Sequence, residues 1–246
     1  MKKFLACCEA SKKILNIAHM SANLPVNILI IGQKGVGKTL LAQQISPETP
    51  ILDAKQLENS IINSTANIKQ YDELIITNLE AVLNKKEFFQ NLTGIKIIAT
   101  SKYMPSEIET QFAIKIDVPP LSERKEDLDE LISLYLKQAK EIYDIDISIK
   151  DIDIDLSSNG VSLKKSIYKN TMLKSLNDED MQESLEYFLL QKLKNNKDYK
   201  ELLKIFEVPL LKAAKVQYKS QLQMATNLKI NRITLRKKLD QYFGTN

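Results

Sequence analysis

The first half of the chain reads as an α/β protein, a parallel sheet with helices on both faces, and the second half as wholly helical. Three observations predict this. Short apolar runs of strand type alternate with amphipathic stretches up to Val118, the pattern of parallel strands joined by crossover helices. A glycine-rich turn, Gly32-Gln33-Lys34-Gly35-Val36-Gly37-Lys38-Thr39, follows the first apolar run and opens a helix. From Leu121 onward the apolar residues recur at helical spacing.

The elements follow in order. Residues 11–20 read as a helix with Ile14, Leu15 and Ala18 on one side. After Pro25, Val26-Asn27-Ile28-Leu29-Ile30-Ile31 reads as a strand, and residues 38–45 continue the glycine turn as a helix. Further strands are expected at residues 50–54, 74–77 and 95–100, with a helix around residues 81–92. Residues 113–118 make the last strand, ended by Pro119-Pro120. A charged amphipathic helix opens at Ser122 and Glu123 and runs to Tyr143. The acidic stretch 144–160 reads as a hinge or irregular connection. Helices follow at residues 162–173, 178–195 and 198–206, and Pro209 is expected in the first turn of another, where its missing amide costs nothing. Two short helices, residues 220–228 and 231–243, come last. The expected domains are residues 1–120, a helical lid-like region over 121–176, and a C-terminal domain over 177–246.

With 246 residues, 43% apolar and 27% charged, the chain has room for one large or two modest domains with real cores. No apolar run approaches a membrane span, and the apolar stretch before Glu9 is too short for a signal segment, so a cytoplasmic location without membrane contact is expected. Adjacent Cys7 and Cys8, with no CxxC spacing, argue against a structural disulfide or a zinc site and read as small buried residues on the first helix. His19, the only histidine, reads as a helix residue rather than a ligand or base. The net charge of +4 is unevenly spread: residues 210–246 carry eight basic side chains against one acid, Asp240, and six acids face one lysine between Glu141 and Asp155. A basic end on a mildly acidic body suggests that one module binds a polyanion.

Two stretches carry chemistry. The glycine turn fits G-x-x-x-x-G-K-[ST] completely, which makes Gly32, Gly35, Val36, Gly37, Lys38, Thr39 and Leu40 the candidate nucleotide-binding residues. Backbone amides converge on phosphate oxygens, Lys38 reaches the terminal phosphates, and Thr39 holds magnesium, so ATP or ADP with Mg is the expected cofactor. Hydrolysis also needs a carboxylate at the end of a neighbouring strand. The natural strand ends in Thr77-Asn78, with Glu80 two residues on, so slow or absent turnover is expected. The second stretch is residues 230–242. Ile233, Leu235 and Leu239, with Phe243 a turn further, are expected to be buried, and Asn231, Arg232, Thr234, Arg236, Lys237 and Lys238 to face outward. Arg and Asn can read guanine and adenine edges in a major groove, and Lys and Thr can hold phosphates.

These residues resemble the NtrC-class enhancer-binding proteins, the AAA+ activators of sigma-54 transcription, in shortened and degenerate form. Residues 10–45 are similar to their opening helix, strand and phosphate loop, and Lys96-Ile97-Ile98-Ala99-Thr100-Ser101 resembles their sensor strand. Val118-Pro119-Pro120-Leu121-Ser122-Glu123-Arg124-Lys125-Glu126-Asp127-Leu128 closely resembles their Leu-Pro-Pro-Leu-Arg-Glu-Arg-Lys-Glu-Asp-Ile. The tail, with Ile230-Asn231-Arg232 and Thr234-Leu235-Arg236-Lys237-Lys238-Leu239, is similar to the Fis-type helix-turn-helix module, with Lys229 where that module has a turn glycine. The resemblance implies an AAA+-like P-loop core, a helical lid, and a Fis-type domain with its helix-turn-helix at 220–243. It also implies DNA contacts from Ser220, Gln221, Asn231, Arg232, Thr234, Arg236 and Lys237. Copies of that module pair, so a homodimer through the C-terminal helices is expected, its recognition helices about 34 Å apart on double-stranded DNA.

The departures shape the expected function. GAFTGA is absent, the trans arginines are missing from residues 111–117, and the sensor arginine falls at Val161 or Ser162. The reading is a nucleoid-associated DNA-binding transcription regulator whose core binds nucleotide but hydrolyses it poorly or not at all. The alternatives are an active sigma-54-type ATPase and an adaptor that modulates an AAA+ relative or the transcription machinery without touching DNA.

Overall fold

The computed structural model describes residues 3–65, 67–195 and 197–244, in two compact units, Met1–Ser175 and Leu176–Asn246. The first unit opens with α1 (Glu9–Ser21), β1 (Ile28–Ile31), α2 (Lys38–Ile45), β2 (Ile51–Asp53) and α3 (Ala54–Ile62). It continues with β3 (Glu73–Thr77), α4 (Lys85–Asn91), β4 (Lys96–Ser101) and β5 (Ile114–Asp117). The five strands pair in parallel in the order β2-β3-β4-β1-β5, with Ile28 between Ile98 and Ile114.

Successive strand residues point to opposite faces, and here both faces are covered. Ile28, Ile30, Ile75, Ile98 and Ile116 pack with Ile14 and Ala18 of α1 and Leu41 of α2. On the other face Leu29, Leu74, Ile76 and Ile97 pack with Leu57 of α3 and with Phe88 and Phe89 of α4. Burial on two sides is why the strands read as unbroken apolar runs.

Three local features differ from the sequence expectation. Asp53 ends β2 and its carboxylate at once accepts from the amides of Lys55 and Gln56, so α3 starts with no intervening turn residues to announce it. The helix expected around residues 81–92 is divided into a 3-10 turn, Leu79–Ala81, and α4, whose N-cap Asn84 accepts from the Glu87 amide. Cys8 lies before α1 as its buried N-cap rather than within it, and Cys7 is half-buried. Burial, then Asp127 and Glu130, pushes the Cys7 thiol above its ordinary value, which disfavours a reactive thiolate.

The lid elements belong to this unit. A 3-10 turn, Leu121–Glu123, leads into α5 (Lys125–Tyr143), and α6 (Gly160–Ser175) packs beside it through Ile132, Ala139, Leu163 and Ile167. The stretch read as a hinge is irregular but anchored. Ile147, Ile152, Ile154 and Leu156 enter the same core, while the alternating aspartates 151, 153 and 155 stay exposed.

The second unit holds α7 (Asp178–Leu193), α8 (Tyr199–Gln217), α9 (Gln221–Asn227) and α10 (Arg232–Phe243). Its core is Leu211, Ala214, Met224, Ala225, Leu235 and Leu239. The expected break at Pro209 is absent, because α8 runs through it. Ile205, Val208, Leu211 and Ala214 form one continuous half-buried or buried stripe, while Pro209 is exposed. Packing of that stripe outweighs the amide that the Ile205 carbonyl loses. Lys229, between α9 and α10, has φ +52°, the left-handed backbone that favours glycine. No helix among the described residues is long and apolar enough to cross a membrane.

Candidate functional site

The glycine turn forms one wall of a cavity of about 870 Å³. Gly35, Val36, Gly37, Lys38, Thr39 and Leu40 line it, as the sequence motif expects. Gly32 stands behind them. Its carbonyl accepts from Lys38 Nζ at 2.7 Å, and the Gln33 carbonyl accepts from the same ammonium at 2.9 Å. A phosphate must therefore draw Lys38 away from its own loop. Burial pushes the Lys38 ammonium below its ordinary pKa; Glu80 opposes this shift and Lys102 adds to it.

The lid holds the loop by its carbonyls. Gly160 N–H donates to the Gly35 carbonyl at 3.1 Å, and Asn159 Nδ2 to the Lys34 carbonyl at 3.0 Å. Arg124 Nη2 donates to the Val36 carbonyl at 2.8 Å. Gly35 has φ +81°, and a Cβ there would lie 2.0 Å from the Ser158 carbonyl oxygen, so only glycine fits this junction. Arg124 is 2% exposed, sits 5.2 Å above the Phe4 ring, and bonds Asp127 Oδ2 through Nη1 at 3.2 Å. Asp127 Oδ1 accepts from the amides of Cys7 and Cys8 at 2.6 and 3.0 Å and from Ser11 Oγ at 3.0 Å. Leu131, Tyr135 and Tyr168 add an apolar and aromatic part to the lining. The Lys164 ammonium lies over both tyrosine rings, 5.8 Å from the Tyr135 centroid and 4.8 Å from that of Tyr168.

The side chains do not fit a protein-held magnesium ion. Thr77 donates its hydroxyl to the Leu52 carbonyl, and Asn78 spends its amide on Asp53 Oδ2 at 2.8 Å. Two acids line the cavity. Asp127 is committed to Arg124 and the N-terminal amides. Glu80, 12% exposed, accepts from the Lys102 amide at 3.2 Å, with the Lys102 ammonium at 3.8 Å. Among the described residues, neither acid that lines the cavity is without a partner, so Thr39 has no unpaired carboxylate in the lining with which to share a hard cation. Of the two sensor positions, Val161 lines the cavity, while Ser162 is buried with its hydroxyl bonded to the Ser158 amide.

The sequence reading missed Lys102, Asn159 and Lys164 as parts of this site, and Arg124 and Asp127 as its support. Arg124 and Asp127 stood in a stretch whose resemblance had been noticed without a role for either side chain. The two lysines carried no signal, because nothing local distinguishes them from surface lysines.

In the second unit, Asn231, Arg232, Thr234, Arg236 and Lys237 are all exposed. Asn231 caps α10 by accepting from the Ile233 amide, and Ser220 caps α9 by accepting from that of Gln223, with Gln221 exposed beside it. Two side chains differ from expectation. Ile233 is 67% exposed, so the buried stripe of α10 is Leu235 and Leu239 with half-buried Phe243. Lys238 turns inward to an ion pair with Glu207, whose other oxygen accepts from the Tyr242 hydroxyl.

Residues 5–79 match the family model of the Sigma-54 interaction domain. That span runs from the N-terminal segment over the phosphate loop to β3. NtrX from Brucella abortus in complex with ATP is similar over 98% of this chain and 69% of its own length, at 15% identity and a TM-score of 0.56. The same protein in complex with ADP matches over 97% and 68%, at 16% identity and a TM-score of 0.57. At such identities the likeness is one of fold, the AAA+ type of P-loop α/β architecture. No curated protein matches this chain.

Proposed function

We propose that the protein is a DNA-binding transcription regulator whose AAA+-like core takes ATP or ADP and turns it over slowly or not at all. The observation that carries the reading is α10, which buries Leu235 and Leu239 and leaves Asn231, Arg232, Thr234, Arg236 and Lys237 in solvent. With α9 before it, α10 serves as the recognition helix of a Fis-type helix-turn-helix, Ser220 and Gln221 reaching the phosphates from the start of α9. Two copies pair through the C-terminal helices. In support, α7 buries no residue of its own, and Phe188, Leu190, Leu193, Phe206 and Leu210 are exposed along α7 and α8.

Fluorescence anisotropy on genomic DNA fragments tests this. Arg232→Ala and Arg236→Ala should each weaken binding by about 1–3 kcal/mol if they read base edges, and a lost phosphate contact should lower the salt slope by about one. Lys238→Ala should leave the salt slope alone, since Glu207 already holds that side chain. Unchanged affinity and slope in both arginine variants would defeat the assignment. Glu80 favours a second reading, an active ATPase, because it brings a carboxylate into the phosphate cavity. Phosphate release that disappears in Lys38→Ala would establish it.

A further inference from the structure

Both acids that line the cavity, Asp127 and Glu80, already have cationic partners, and further cations crowd it. Besides Lys38 it is lined by Lys3, Lys34, Lys102, Lys164 and Lys165. Lys102 follows β4 at the end of the sheet beside Glu80, its side chain 57% exposed. Lys164 lies one turn along α6 from Val161, one of the two positions that the resemblance gives for a sensor arginine, and its ammonium is parked on the faces of Tyr135 and Tyr168. A nucleotide polyphosphate needs counter-charge wherever it binds. A protein that withdraws its carboxylates from magnesium can supply that charge as ammonium groups.

We propose that this cavity binds a nucleoside di- or triphosphate without magnesium, with Lys102 and Lys164 taking the counter-charge role of the ion against the polyphosphate. The inference rests on the nucleotide-binding reading above and specifies the form of the ligand. Lys102 comes from the end of β4 and Lys164 from α6, so the two lysines reach the cavity from different layers. Glu80 then keeps Lys102 in place rather than coordinating a metal.

The test is equilibrium binding of a fluorescent ADP analogue to the full chain, once with excess magnesium and once with excess EDTA. The expected affinity in EDTA is equal to that in magnesium within about threefold, or tighter. Lys102→Ala and Lys164→Ala should each weaken binding in EDTA about tenfold, the scale of one charge-assisted bond to phosphate. Lys102→Arg and Lys164→Arg should retain it, which separates lost charge from lost folding. Glu80→Gln should leave any response to magnesium unchanged. Binding that requires magnesium, or a magnesium response that vanishes in Glu80→Gln, would overturn the proposal while leaving the nucleotide reading intact. No binding under either condition would overturn both.

Discussion

Asp127→Ala is the perturbation with the most to reveal about how this core stands. The carboxylate is buried and serves five donors: Arg124, the Cys7 and Cys8 amides, the Ser11 hydroxyl and, at 3.8 Å, the Cys8 thiol. Its removal strands a guanidinium that is 2% exposed and whose Nε has no partner among the described residues. A buried charge left alone costs about 3–5 kcal/mol, which solvent does not screen here. The orphaned amides add to this, offset by water entering the space the carboxylate leaves. A loss of about 4 kcal/mol follows, a large share of the roughly 5–15 kcal/mol that holds a domain together. Asp127→Asn keeps one acceptor oxygen for the two amides but turns an Nδ2 donor toward the Arg124 guanidinium, so a loss close to that of Asp127→Ala is expected. The double variant Arg124→Met/Asp127→Asn should lose about 1–3 kcal/mol less than the two singles combined, because neither partner is then left stranded. Urea unfolding followed by circular dichroism, with hydrogen exchange in peptides covering β1 and β4, isolates the first unit from the second. A loss below about 1 kcal/mol for Asp127→Ala, or strict additivity in the double variant, would refute the claim that this pair organises the N-terminal segment.

Two further outcomes concern the second unit. Pro209→Ala returns an amide to the Ile205 carbonyl in an exposed helix interior and should stabilise this unit by about 1–3 kcal/mol, so an unchanged urea midpoint would contradict the local account of α8. Hydrogen bonds from Lys238 and then Tyr242 hold the Glu207 carboxyl below the usual glutamate range. A folded pKa below the unfolded one means stability present above about pH 4.3 and lost as pH falls from there through the folded value. Methyl resonances of Leu235 and Leu239 should therefore melt earlier in acid than at neutral pH, and this dependence should flatten in Glu207→Gln; matching profiles would count against the pair.

How far the sequence showed the fold follows from where each signal resides. The strands were legible because burial on both faces makes them apolar throughout, and Leu74-Ile75-Ile76 or Ile97-Ile98-Ala99 need no partner to be recognised. The phosphate loop was legible because its chemistry lies in consecutive residues. Helix α3 was not, since Asp53 both ends a strand and caps a helix. Pro209 misled because a local rule was overridden by a stripe that packs on both sides of it. Ile233 misled because it stands two residues before Leu235, about 200° around the helix, and cannot share the buried face that Leu235 and Leu239 form. Lys102 and Lys164 meet the site through tertiary folding alone, one from the end of β4 and one from the lid, and periodicity carries no trace of that.

The shape of the glycine loop is set by residues outside it. The peptide unit is planar and trans, so a carbonyl held in one direction aims the amide of the same unit the opposite way. Lys34, Gly35 and Val36 have their carbonyls bound by Asn159, Gly160 and Arg124. Those three bonds therefore fix the directions of the Gly35, Val36 and Gly37 amides, the groups a phosphate nest is made of. None of the three bonds involves a residue at the end of β3, or Val161. Asn159, Gly160 and Arg124, all outside the loop, therefore shape the cradle. The loop is thereby fastened to the starts of α5 and α6 before any ligand arrives.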